Sequence, residues 1–252
     1  MEDLVWKSGD SQVVVPIATS VICFSLYWFV AYSDKLRDAV DNRMGPNHFL
    51  NFGAFYQKGL GFVCLGIIPM IIAVVFLPGS LSVYGISAFI WEPALVWLLV
   101  LGGVLLIIPY FSARKEEMLE FYPQIRVPEW SGSLLTINAI VWLLYLFAYE
   151  FLFRGFLLIS VASVLGWWPA IAIATAVSTL THMPKGSKET FGTIPLSVLL
   201  CFIVIQTGAI WPCVIIHAVL AISNDYWALN YHPGMQLIMG KRLEPAKKAV
   251  SD

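Results

Sequence analysis

The chain has 252 residues, 59% of them hydrophobic and 12% charged, where a soluble domain carries ~25% charged and ~45–50% apolar residues. A mean hydropathy of +0.77 makes lipid the solvent of most of the chain and speaks against a soluble globular fold. Fifteen Lys and Arg against sixteen Asp and Glu leave a net charge of −1, with no basic excess to neutralise phosphates, so nucleic acid is excluded as the main partner.

Met1-Glu2-Asp3 is acidic where a signal peptide needs a basic start, and the first apolar run, 13–32, is too long for a signal-peptide core. That run is expected to stay in the membrane. Further runs able to cross a ~30 Å hydrocarbon core cover 59–77, 94–112, 131–166, 167–182, 192–208 and 210–230. The predicted fold is all-α, a polytopic bundle of seven or eight transmembrane helices. The uncertain count comes from 131–166, which is longer than one crossing needs. Between the first two runs, Ser33 to Lys58 reads as a short polar helix ending in a turn at Gly45-Pro46-Asn47.

A second polar stretch, Arg114 to Trp130, carries four glutamates with Arg114, Lys115 and Arg126, and the tail holds Lys241, Arg242, Lys247 and Lys248. Seven crossings with the first terminus outside put 33–58, 113–130, 183–191 and the tail on one side, where basic loops belong. The expected organisation is 1–112 as N-terminal membrane helices, 113–130 as a polar connector, 131–232 as the core that carries the chemistry, and 233–252 as a polar tail. Trp130, Trp142, Trp167, Trp168, Trp211 and Trp227 read as interfacial anchors. Cys23, Cys64, Cys201 and Cys213 lack the spacing of a zinc or disulfide framework and read as small buried hydrophobes.

From Ser131 to Pro184 the only charged residues are Glu150 and Arg154. Four residues apart, they share a helix face in the favourable order for a salt bridge, and two readings stay open: a self-paired structural lock, or an ionisable group lining a reaction site. His182 ends the next run, and His217 lies in the last, with Asn224 seven residues on and Asp225 beside it. Taking Gly166-Trp167 as a turn, Glu150 and His182 each lie 16 residues away, equal depths of ~24 Å at ~1.5 Å per residue.

The string Glu150-x-x-x-Arg154-Gly155, a histidine ending the following span, and a histidine followed by Asn or Asp in the last span resemble the CAAX protease and bacteriocin-processing family. This family includes the type II CAAX prenyl endopeptidases and their bacterial relatives. Gly208-Ala209-Ile210-Trp211-Pro212 and Ile216-His217-Ala218 add to the likeness, which covers about residues 130–230. It implies a multi-pass protein of a bacterial cell membrane that hydrolyses a peptide bond in a membrane-associated protein or peptide, prenylated or not. Glu150 would activate water as base, Arg154 would position it, and His182, His217 and Asn224 would orient water and stabilise the oxyanion. Tyr149, Glu189 and Asp225 are accessory candidates. No cofactor is expected, and no metal, since no His-Glu-x-x-His string is present. His48 and His232 are assigned no role.

Three positions depart from the family pattern. Tyr149 stands where the first glutamate of a Glu-Glu-x-x-x-Arg motif is common, Ser178 where a phenylalanine precedes the first histidine by four, and Ala221 where an asparagine follows the second by four. Adjacent helical residues point about 100° apart, so Glu150 cannot take the missing glutamate's place without helix rotation. The alternative is a catalytically inactive relative serving as a membrane scaffold or a bacteriocin-immunity protein. A transporter is a third reading, weakened by the lack of paired, Gly/Pro-broken segments in two halves.

Overall fold

The computed structural model describes residues 5–238 and is helical nearly throughout. The acidic start, Met1-Glu2-Asp3, and the tail cations Lys241, Arg242, Lys247 and Lys248 lie outside the described residues. Among the described residues six helices are long and apolar enough to cross a membrane: Asp10–Ala31 (α1), His48–Phe76, Trp91–Ser112 (α5), Gly132–Leu165, Ser187–Thr207 (α10) and Trp211–Tyr231 (α11). Trp167–Leu180 (α9) is apolar but shorter. The protein is a multi-pass helical membrane bundle.

Cross-links between loops sort the bundle into two ends. At one, Arg126 N donates to Asn51 O, Lys188 Nζ to Glu117, and Glu129–Ser131 (β1) pairs in parallel with Gln236–Ile238 (β2). At the other, Ile90 N donates to Thr207 O, Ile210 N to Gly85 O and Ser163 Oγ to Gln12. The expected grouping of the polar connector with 33–58 and 183–191 is thus reproduced, and we call this the connector end.

Between α1 and the second span, Asp34–Met44 (α2) is the anticipated polar helix, capped by Ser33, whose side chain accepts from Leu36 N. The second span starts at His48, earlier than the apolar run suggested. It comprises α3 (His48–Gly61), a π-helical turn Phe62–Ile67 and α4 (Ile68–Phe76). A Cβ on Gly66 would come within 2.8 Å of Ala148 Cβ. Small residues here let two backbones approach, the contact that holds helices together where lipid removes the hydrophobic drive between them.

The 131–166 run, which left room for an eighth span, forms one continuous helical path: α7 (Gly132–Glu150), a π-helical turn Phe151–Leu157 and α8 (Leu158–Leu165). At ~1.5 Å per residue it is ~50 Å long, more than a bilayer core needs. The surplus is used at the connector end, where α7 is capped by Ser131, follows β1, and packs against α3 and α11. Gly166, at φ +81°, a conformation that disfavours a side chain, turns the chain into α9.

Two tryptophans correct the anchor assignment. Trp130 and Trp142 are buried, inside the connector-end core and not at a lipid interface. All four cysteines are buried and free, as expected of small hydrophobes.

Candidate active site

Each charged group of the motif sits at a break in helical regularity. Glu150 ends α7 and Arg154 lies in the following π-helical turn, a local widening with i→i+5 hydrogen bonds that recurs at functional sites. A Cβ on Gly155 would run into the carbonyl of Tyr84. The motif glycine therefore serves close packing: it admits the 3₁₀ turn Leu81–Tyr84 against the bundle. The whole segment Phe151–Leu157 is buried.

Glu150 has no exposed surface and Arg154 is 1% exposed. Arg154 Nε lies 3.4 Å from Glu150 Oε2, an ion pair without hydrogen-bond geometry. The other carboxylate oxygen, Oε1, accepts from His217 Nδ1 at 2.6 Å. In a neutral imidazole that bond requires the proton on Nδ1 and leaves Nε2 as a lone-pair nitrogen. His217 is 15% exposed at its side chain, so the centre meets its surroundings through the imidazole and not through the carboxylate.

Arg154 is held from behind. Its Nη2 donates to Ser197 Oγ at 3.0 Å, Ser197 meets Ser178 Oγ at 2.9 Å and Thr175 Oγ1 at 3.4 Å, and Ser178 Oγ donates to Thr175 O. This buried hydroxyl layer joins α9 to α10. Sequence reading missed its role, although hydroxyls three apart on an apolar helix, Thr175 and Ser178, were a signal for an inward polar stripe.

α9 stops at Leu180 after 14 residues, about 21 Å, so His182 lies within the bundle and not at the far end of a full span. Its Nδ1 is 3.1 Å from Ser178 O and 3.1 Å from Thr181 Oγ1. Tyr149 lies between the two histidines: its ring meets His182 edge-on at 6.0 Å and His217 edge-on at 5.6 Å. The phenol hydroxyl donates to Ser178 O at 3.2 Å and contacts Thr181 Oγ1 at 3.0 Å.

Tyr149, Glu150, Arg154, His182 and His217 therefore come together. Asn224 does not join them. It lies seven residues beyond His217, ~10 Å along α11, and the polar partners of Glu150 are Arg154 and His217. Glu189 is half-buried in the first turn of α10 and not in a loop. Asp225 belongs to a different centre, accepting from Gln124 N, Asn138 Nδ2 and Trp142 Nε1. Among the described residues no group of three or more His, Cys, Asp or Glu side chains gathers as a metal-binding cluster.

A membrane bundle with a buried carboxylate and guanidinium beside two half-buried imidazoles defines a polytopic membrane protein with a built intramembrane polar centre. Residues 131–223 match the family model described as type II CAAX prenyl endopeptidase, Rce1-like. The matched segment contains Glu150, Arg154, His182 and His217 and ends one residue before Asn224. This segment, under half of the chain, is what the chain shares with the type II CAAX prenyl endopeptidases, and it supports an intramembrane protease at the level of the family. Neither curated proteins nor solved structures gave a match.

Proposed function

We propose that the protein is an intramembrane peptidase that hydrolyses a peptide bond in a membrane-associated protein or peptide, with the Glu150–His217 pair as its base. The observation that carries this reading is the 2.6 Å contact between a fully buried carboxylate and an imidazole that keeps part of its surface open. Water attacking the scissile carbonyl gives its proton to His217 Nε2. Glu150 supplies the basicity, because its negative charge stabilises the imidazolium that forms, and Arg154 holds Glu150 in place. The proton then passes from His217 to the departing amine. His182, on the other side of Tyr149 from His217, is assigned to donate to the oxyanion.

The second reading, a catalytically inactive relative that binds a membrane partner, is favoured by Tyr149. Its ring fills the space between the imidazoles and its hydroxyl is committed to α9.

The test uses protein in nanodiscs with fluorogenic prenylated and unprenylated peptides. Wild type, Glu150→Gln, His217→Gln and Tyr149→Glu are compared, with melting curves alongside. Cleavage by wild type that His217→Gln and Glu150→Gln each lower by at least a hundredfold, at a melting temperature that still leaves the protein folded during the assay, is the expected result. Undiminished cleavage by either variant overturns the assigned mechanism. Silence from wild type combined with activity from Tyr149→Glu selects the inactive-relative reading.

A further inference from the structure

The seam between α5 and α11 carries features that the peptidase reading does not use. At mid-bundle these two helices enclose an apolar groove of about 290 Å³, lined among others by Leu99, Gly102, Gly103, Leu106, Ile215 and Val219. Its floor is made by two consecutive glycines, and a Cβ built on either would meet no atom within 4 Å. The groove therefore exists because residues 102 and 103 carry no side chain. An apolar recess of this size inside a bilayer has no polar partners to hold water, so a hydrocarbon chain is its natural filling.

Followed toward the connector end, the same face of α5 passes through Leu106 and Tyr110 to Arg114, a spacing of four residues that keeps them in one stripe. Arg114 is exposed and lies just past the end of α5. Its Nη2 donates to Tyr110 Oη and to Tyr231 Oη, each at 3.1 Å. The guanidinium carbon stands 5.1 Å from both ring centroids, and Tyr110 packs edge-on against Trp227 at 4.9 Å. One nitrogen thus fixes the guanidinium between two aromatic rings, while Nε and Nη1 form no hydrogen bond to any described residue. A cation so oriented, set among aromatic side chains of the kind that gather at headgroup level, presents a two-donor fork to a phosphate.

The spacing suits one molecule. Leu106 lies eight residues from Arg114 and Gly102 twelve, ~12 and ~18 Å along the helix, while one leaflet of hydrocarbon is ~15 Å deep. From the clamp and the groove together we propose that the α5/α11 seam binds one phospholipid of the connector-end leaflet, its phosphate on Arg114 and one acyl chain over Gly102 and Gly103. This site goes beyond the peptidase reading and stands or falls independently of it.

The test is native mass spectrometry of full-length protein in detergent, titrated with phosphatidylglycerol or phosphatidylcholine. Wild type, Arg114→Gln and Gly103→Leu are compared, with the melting temperature of each in the same detergent. Wild type is expected to retain one phosphatidylglycerol in preference to phosphatidylcholine. Arg114→Gln should bind it about tenfold more weakly, the equivalent of one charge-assisted hydrogen bond. Gly103→Leu should lose the bound lipid because the side chain fills the groove. Equal retention by wild type and Arg114→Gln overturns the proposal, and Arg114, being exposed, can be changed without unfolding the bundle. Retention of an isoprenyl phosphate in competition with phosphatidylglycerol also overturns it, since the occupant would then be an isoprenoid.

Discussion

The bundle buries two carboxylates that are treated in opposite ways. Asp225 is 3% exposed and receives three donors: Gln124 N at 3.0 Å, Asn138 Nδ2 at 2.9 Å and Trp142 Nε1 at 2.6 Å. A cation stands one layer back, where Lys58 Nζ donates to Gln124 Oε1 at 2.6 Å and lies 4.0 Å from the Trp142 ring centroid. Glu150, more deeply buried, receives a single hydrogen bond. Among the described residues its Oε2 has no hydrogen-bond partner, and neither do Nε and Nη1 of Arg154. The Asp225 centre is what a fold does with a carboxylate it uses as mortar: the connector, α7 and α11 meet on it, and α3 is tied in one layer back through Lys58. The Glu150 centre leaves polar capacity unfilled at a place where each unfilled group is expensive. Under the peptidase reading such under-satisfaction is expected, because the centre then serves a reaction and not the fold.

The comparison breaks most readily at Arg154. Arg154→Met leaves the Glu150 charge without its cation, and removing one member of a buried pair destabilises by about 3–5 kcal/mol. The expected result is a large fall in the yield of folded protein. Glu150→Gln combined with Arg154→Met removes both charges and should recover most of that yield, measured by fluorescence-detected size exclusion. If the double variant fares as badly as Arg154→Met alone, the two residues do not act as a pair.

The Asp225 centre should respond with stability alone. Asp225→Ala strands three buried donors and is expected to cost about 2–4 kcal/mol, with turnover per folded molecule unchanged below the melting temperature. Loss of turnover at unchanged stability would erase the distinction between the centres.

These two centres also show what could be read from the sequence. Glu150 and Arg154 stand out because nothing else between Ser131 and Pro184 is charged, and counting residues from Gly166 put Glu150 and His182 at one depth, as the Tyr149–His182 contact bears out. Local rules suffice there, because both residues are measured from one tight turn. Asp225 was legible only as a neighbour of Asn224. Its donors come from Gln124, Asn138 and Trp142, separated from it by 101, 87 and 83 residues, and no periodicity reports a contact of that range. The tryptophans misled for the same reason: an indole suits a membrane interface or a core equally well, and only the distant carboxylate decides for Trp142. The π-helical turns at Phe62 and Phe151 carry no residue signature, since what distinguishes them is hydrogen-bond register.

Tyr149 tests the boundary of the Glu150 centre. Tyr149→Phe removes one hydroxyl from Ser178 O, which still accepts from Thr181 Oγ1 at 2.7 Å. The expected destabilisation is therefore about 0.5–1.5 kcal/mol, read as a small drop in melting temperature. If the ring merely fills space between the imidazoles, cleavage by a working enzyme survives this change. If cleavage disappears, the hydroxyl itself takes part in positioning His182 through Thr181.

The smallest effect is expected where a carboxylate and a cation meet in water. Glu117 and Lys188 form a 2.5 Å ion pair between the connector and α10, but their side chains are 67% and 81% exposed. The Lys188 ammonium holds the Glu117 carboxyl below its usual range, first through their hydrogen bond and then through charge attraction. A carboxyl lowered on folding stabilises above its unfolded value of about 4.3, and the contribution fades as pH falls through the lower folded value. Water and salt screen such a pair. Lys188→Ala should thus leave the melting temperature unchanged at neutral pH and physiological salt, and any difference found at low salt should fade on acidification through the lowered folded value of Glu117. The contrast with Arg154→Met isolates burial as the variable, since both substitutions remove the cation from a carboxylate pair. A loss at Lys188 as large as that at Arg154 would mean that solvent exposure does not set the worth of a charge in this bundle, and the difference between its two buried centres would need another cause.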